Sequence, residues 1–251
     1  MKKANKKVNA AIIIIGNEIL SGRTQDVNLV NLSKWFNELG VKVEEVRIVP
    51  DNEIAIIHTV NFLRERFNYV FTTGGIGPTH DDITSKSVAK AFKLKYGKHK
   101  KAYKLLENYY GAKNFNKGRK KMAMMPTKAS LILNPSSGAP GFFVGNVYCL
   151  PGVPSILRSM LGGLKNKIVG GKKIYNGTIS IRTVESEIAS SLEKVQNNYD
   201  NTEIGSYPFF KEGKIGVSIV IRSSEKKKIN KCLNEIKKFL RKKNIKIIKK
   251  N

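Results

Sequence analysis

Cysteine, tryptophan and histidine are scarce in this chain of 251 residues, with two, one and three of them. Cys149 and Cys232 stand far apart and outside any C-x-x-C pattern, which excludes a disulfide framework or zinc knuckle and fits a reducing cytoplasm. Acid is scarce as well: 19 Asp and Glu face 46 Lys and Arg, a formal charge of +27. Such an excess normally raises nucleic acid or an anionic membrane as partner. Here lysine far outnumbers arginine and gathers at Lys2 to Lys7, Lys98 to Lys104, Lys117 to Lys121 and from Lys226 onward. Nucleic-acid readers favour arginine and interleaved exposed aromatics. The favoured reading is therefore a lysine-rich composition with solvated basic faces, and nucleic acid is not expected as a partner. Long apolar runs are absent too, so no bilayer span and no membrane partner are expected. Met1 to Lys7 followed by Val8 to Ile15 imitates a secretory signal, but no small-x-small site follows and Glu18 interrupts the apolar character.

Two phosphate-loop signatures are also missing. Gly75-Ile76-Gly77 begins like G-x-G-x-x-G, yet His80 stands where the third glycine belongs, and no Gly-Lys-Ser/Thr follows. What is present is Phe71-Thr72-Thr73-Gly74-Gly75-Ile76-Gly77-Pro78-Thr79-His80-Asp81-Asp82-Ile83-Thr84. It reads as a strand from Tyr69, a glycine loop, and a helix to about Phe92 that opens with Thr79 and Asp82 at capping-box spacing. Asp81 and Asp82 would then lie in a first turn whose N–H groups can bind an anion or stabilise carboxylates. Either these aspartates only cap the helix, or a divalent metal stands between them and an anionic ligand.

The chain starts with a continuous apolar strand, Val8 to Ile15, and the loop Gly16-Asn17-Glu18-Ile19-Leu20-Ser21-Gly22-Arg23-Thr24. A helix from Asp26 ends at Gly40, a strand covers Val41 to Val49, and a second helix carries Ile56, Val60, Leu63 and Phe67. This β-α-β-α-β-α order implies a doubly wound, mostly parallel sheet, whose ligands collect outside the strands' carboxyl ends. Glu18, Asp81 and Asp82 fall on that edge. Further helices are expected over His99 to Tyr110 and Lys117 to Met125, a strand over Leu131 to Asn134, and a hairpin joining Phe142-Phe143-Val144 to Val147 to Leu150. Pro151-Gly152-Val153-Pro154 opens another helix at Ser155. From residue 171 to 251 the order becomes β-α-β-β-α-β, a ferredoxin-like α+β domain after a first domain of residues 1–170.

Thr73-Gly74-Gly75-Ile76-Gly77-Pro78-Thr79 with Asp81-Asp82-Ile83-Thr84 resembles the MoaB/Mog-like molybdopterin-binding domain, in the branch of CinA proteins and of the N-terminal part of eukaryotic FAD synthases. Gly16 to Gly22, Asp26 with Asn28, Lys121 with Ala123 and Pro126, Gly138-Ala139-Pro140-Gly141 and Leu150-Pro151-Gly152-Val153-Pro154 follow the family's order, and Ile204 to Pro208 resembles a motif of its second domain. Asn17 stands where an aspartate is common, and His80 where many CinA proteins have proline.

The resemblance implies a three-layer αβα fold and one of two activities. One is hydrolysis of the diphosphate bridge of ADP-ribose, FAD or a similar dinucleotide. The other is binding of molybdopterin or its adenylylated form without turnover. It further implies catalytic and metal-binding roles for Asp82, Asp81 and Glu18. Phosphate or nucleotide contacts would come from Gly74, Gly75, Ile76, Gly77, Thr79, Ser21, Asn28, Lys121, Gly138, Pro151 and Gly152. The expected cofactor is Mg2+, Mn2+ or Co2+, with K+ as a further ion, and the expected assembly is a homo-oligomer.

Overall fold

The computed structural model describes residues 8–211 and 213–250; the lysine cluster before Val8 lies outside them. The chain divides into two compact units, Met1–Gly171 and Lys172–Asn251.

In the first unit the elements run β1 (Val8–Ile15), α1 (Asn17–Leu20), α2 (Asn28–Glu38), β2 (Val41–Val49), α3 (Glu53–Arg64), β3 (Tyr69–Thr73), α4 (Thr84–Ala91), β4 (Tyr96–Lys98), α5 (Lys100–Tyr110), α6 (Lys117–Lys121), β5 (Met124–Pro126), β6 (Ser130–Ile132), β7 (Gly141–Val144), β8 (Val147–Leu150) and α7 (Pro154–Leu164). Six strands form one sheet in the order β2-β1-β3-β8-β7-β6. The first four are parallel, and the β7 and β6 additions are antiparallel. Alternate residues of β1 show why its apolar run is continuous. Ala11, Ile13 and Ile15 pack with Ile56, Val60, Val88 and Leu106 on one side, while Ala10, Ile12 and Ile14 meet Leu32, Phe36, Leu157 and Leu164 on the other. Helices cover both faces, as a doubly wound sheet requires.

The second unit contains β9 (Tyr175–Ile181), α8 (Ala189–Asn197), β10 (Thr202–Lys211), β11 (Lys214–Ser223), α9 (Lys226–Lys242) and β12 (Ile247–Lys250). Its antiparallel sheet has the order β10-β11-β9-β12, the ferredoxin-like arrangement. Ile179, Ile181, Val217, Ile219 and Ile221 pack against Leu192, Ile229, Leu233 and Ile236 of its helices.

Several boundaries differ from expectation. The basic helix expected to reach Met125 stops at Lys121, because Met124–Pro126 pairs antiparallel with Tyr96–Lys98 and buries Met125. The loop after β1 contains the short helix α1. The first helix of the second unit begins at Ala189, after a single 3-10 turn. β10 runs to Lys211, because all ten of its residues pair with β11.

Candidate functional site at the carboxyl edge of the parallel sheet

β1, β3 and β8 end side by side, and their loops meet at Gly74. The Gly74 N–H donates to the Leu150 carbonyl at 3.1 Å. A Cβ on Gly74 would lie 2.2 Å from the Ile15 carbonyl oxygen, and one on Gly152 would lie 3.4 Å from the Gly74 Cα. Gly74 also has φ +100° and Gly75 φ +67°, a region that excludes ordinary side chains here. The glycines are thus required by backbone crowding as well as by the turn.

Asn28, at the start of α2, braces this junction by donating from Nδ2 to the Gly152 carbonyl at 2.7 Å. It is 3% exposed and its Oδ1 has no partner. Asp51, after β2, accepts the Asn17 N–H at 2.9 Å, and Asp26 accepts the Leu29 N–H at 2.8 Å. Strand-end loops therefore hold Glu18, Asp26, Asp51, Asp81 and Asp82, five of the 19 acidic residues in a chain of net charge +27.

The segment after Gly77 departs from the expected capping box. α4 starts at Thr84, its cap residue Ile83 makes no side-chain cap bond, and no acid lies in its first turn. Instead the Asp82 carboxylate turns back to accept the Thr79 N–H at 2.7 Å and the Thr79 hydroxyl. This closes a tight turn ahead of the helix and leaves both aspartates before it. Lys121 donates its ammonium to the Thr79 carbonyl, so α6 is pinned to the same turn. The Thr79 hydroxyl, Asp81's own backbone N–H, His80 and Lys121 together hold the Asp81 carboxyl below the usual carboxylate range. Asp81 and Glu18 are exposed, whereas Asp82 is half-buried.

The structure brings together Gly74, Gly75, Gly152 and Asn28, and joins Thr79 to Asp82 and Lys121. Ser21 donates to the Glu18 carbonyl at 3.2 Å. Gly138 is covered by the Tyr109 ring, 2.4 Å from where its Cβ would stand. Among the described residues no three His, Cys, Asp or Glu side chains gather closely enough to hold a metal ion. A closed protein cage is thus not what these residues form. The donor set on the loops is all oxygen, with Glu18 and Asp81 exposed, which fits a hydrated hard cation completed by water and phosphate.

Sequence reasoning missed two positions. Asp51 follows β2, to which the carboxyl-edge rule applies as well. Thr84 is fully buried under Gly75, with its hydroxyl unpartnered and its N–H bonded to the Gly75 carbonyl at 2.9 Å. Only the misplaced helix start concealed it. Cys149, beside this edge, is not a nucleophile candidate, because burial pushes its thiol up to about 12.

Residues 11–169 match the family described as probable molybdopterin binding domain, and residues 173–248 match the FAD synthase middle domain. A protein of Archaeoglobus fulgidus is 30% identical over 229 residues, covering 91% of this chain and 96% of its own. A Clostridium botulinum protein named as competence-damage inducible is 29% identical over 250 residues, and this chain spans only 59% of its length. The CinA structure from Thermoplasma acidophilum superposes with a TM-score of 0.60 at 32% identity, covering 65% of this chain and 99% of that one. With more than half its length matched to one family model and a CinA structure superposing at 32% identity, the chain belongs to the molybdopterin-binding-domain family in its CinA-like branch.

Proposed function

We propose that this site binds the diphosphate of a dinucleotide such as ADP-ribose or FAD and hydrolyses its P–O–P bond with a divalent metal. The observation that carries the reading is the crowded junction at Gly74, where the loops after β1, β3 and β8 meet, with Glu18 and Asp81 exposed on the first two of those loops. The N–H groups of Gly75 to Gly77 would hold phosphate oxygens at a concave run of main chain. Lys121, already seated against Thr79, would transfer its ammonium to a phosphate and lower the charge facing an attacking water. Asp81, kept ionised, and Glu18 would hold a hydrated divalent ion against the ligand. When bound, that ion would neutralise charge developing on the departing phosphate and lower the pKa of a water. Asp82 would fix the turn through Thr79 rather than meet the ligand first.

Turnover of ADP-ribose and FAD with Mg2+, Mn2+ or Co2+ tests this directly. AMP with ribose 5-phosphate from ADP-ribose, and AMP with FMN from FAD, are expected, and Asp81→Asn should lower kcat at least 100-fold with an unchanged melting temperature. Folded protein that yields no product with any of these metals overturns the reading. A second reading, supported by the match of residues 11–169 to a probable molybdopterin binding domain, is binding of a molybdopterin phosphate without turnover. It predicts a copurified fluorescent pterin and no hydrolysis.

A further inference from the structure

A second basic site lies away from these loops. A cavity of about 980 Å3 opens between α5 and β6, at the far edge of the sheet order, and no residue of the Gly16, Gly74 or Pro151 loops lines it. Lys98, Lys100, Lys101, Lys104 and Lys167 stand around it, and its lining includes no carboxylate. Lys98 lies over the Tyr103 ring and Lys167 reaches the Leu131 carbonyl at 3.5 Å. Lys100, Lys101 and Lys104 have no counter-charge among the described residues. This is not the rule in the first unit: Lys86 and Lys90 both converge on Glu53, at 3.3 and 2.5 Å.

The placement is electrostatically costly. Lys100 and Lys101 occupy the first turn of α5, where the helix macrodipole already presents its positive end. Repulsion among these groups is relieved when a multiply charged anion enters. The walls are braced before any ligand arrives, because the His99 ring accepts the Ala102 N–H at Nδ1 and donates from Nε2 to the Ala129 carbonyl at 3.1 Å. The helix start is thereby tied to the segment leading into β6.

The remaining lining narrows the class of ligand. Leu105, Leu131 and Leu133 supply an apolar surface, and Leu133 is 66% exposed. Asn108, Thr127 and Ser130 add polar groups beside it. An inorganic ion would leave the leucines unused, while an apolar ligand without charge would leave the five lysines unmatched. The volume falls in the upper part of the range for small-molecule sites, which cover an apolar body and orient it with a few polar groups. We infer that this cavity is a binding site for an organic polyphosphate of nucleoside triphosphate size, separate from the strand-end site.

The test uses the full chain in EDTA at fixed ionic strength, with ATP and inorganic tripolyphosphate titrated calorimetrically. Saturable ATP binding is expected. Replacing Lys100, Lys101 and Lys104 together by Glu should weaken it at least 20-fold. The control carries Lys227→Glu, Lys231→Glu and Lys238→Glu on α9, the same change in net charge at exposed positions, and should shift it less than threefold. Leu133→Ser should weaken ATP about fivefold and leave tripolyphosphate unchanged. No saturable ATP binding, equal losses in the test and control variants, or an ATP affinity indifferent to Leu133→Ser would each overturn the assignment.

Discussion

The two sheets of this protein differ in where their strands finish. In the first unit β1, β3 and β8 are parallel, so their carboxyl ends and the loops that follow accumulate along one edge. In the second unit every neighbouring pair is antiparallel, and successive ends alternate between opposite edges. Strand direction thus localises the candidate chemistry before any side chain is chosen. The first sheet converges three loops on one glycine; the second spends its loops on hairpins and helix connections.

The sharpest way to break this comparison is to place the same methyl group in both units. Gly74→Ala drives a Cβ onto the Ile15 carbonyl at φ +100°, while Gly213→Ala, in the β10–β11 turn at φ +69°, meets nothing within 4 Å. We expect a loss of about 3 kcal/mol or more for the first and about 1 kcal/mol for the second in thermal unfolding. Equal losses would mean that the Gly74 junction is not a close backbone contact.

Alkaline unfolding gives the next effect. Burial raises the Cys149 thiol from 9.0 to about 12, and burial with the nearby Glu235 charge raises Cys232 from 9.0 to about 11. Each thiol stays protonated in the folded state and ionises more readily in the unfolded chain. Their stabilising contribution is complete below pH 9 and is lost as pH rises, toward about 12 for Cys149 and about 11 for Cys232. Denaturant titrations between pH 11 and 12, where the Cys232 contribution has levelled off and the Cys149 contribution is still falling, should flatten more for Cys149→Ala than for Cys232→Ala, and the reverse order would refute the difference in burial.

The smallest stability change separates brace from ligand contact. Asn28→Ala removes the bond to Gly152, and Ser206→Ala removes the hydroxyl that donates to Glu185 in the second unit. Each should cost about 1 kcal/mol, yet only Asn28→Ala should weaken ADP-ribose binding, by about tenfold. Equal binding in both variants would remove Asn28 from the site.

Much of this was legible from residue order. The two-sided burial of β1, the glycine loop after β3 and the β-α-β-β-α-β tail follow from apolar periodicity and turn residues. The start of α4 did not, because Thr79 and Asp82 have capping-box spacing but spend their bonds on each other in a turn. β5 was hidden inside a helix-favouring lysine run, since its strand character comes from pairing with Tyr96–Lys98 rather than from its own residues. The role of Asp51 depended on Asn17, a neighbour distant in sequence that spacing alone cannot supply.

The contact among Ile15, Gly74 and Gly152 has a consequence for how such a site can diversify. Lengthening any one of the three loops by a residue displaces the other two, because there is no slack between their main chains. Insertions should be tolerated instead at the Gly111 turn, where a Cβ would meet nothing within 4 Å. The pocket is therefore inherited as a single block, and variation in what it accepts has to come from the segments that border it, such as α6 and the Pro135–Pro140 loop.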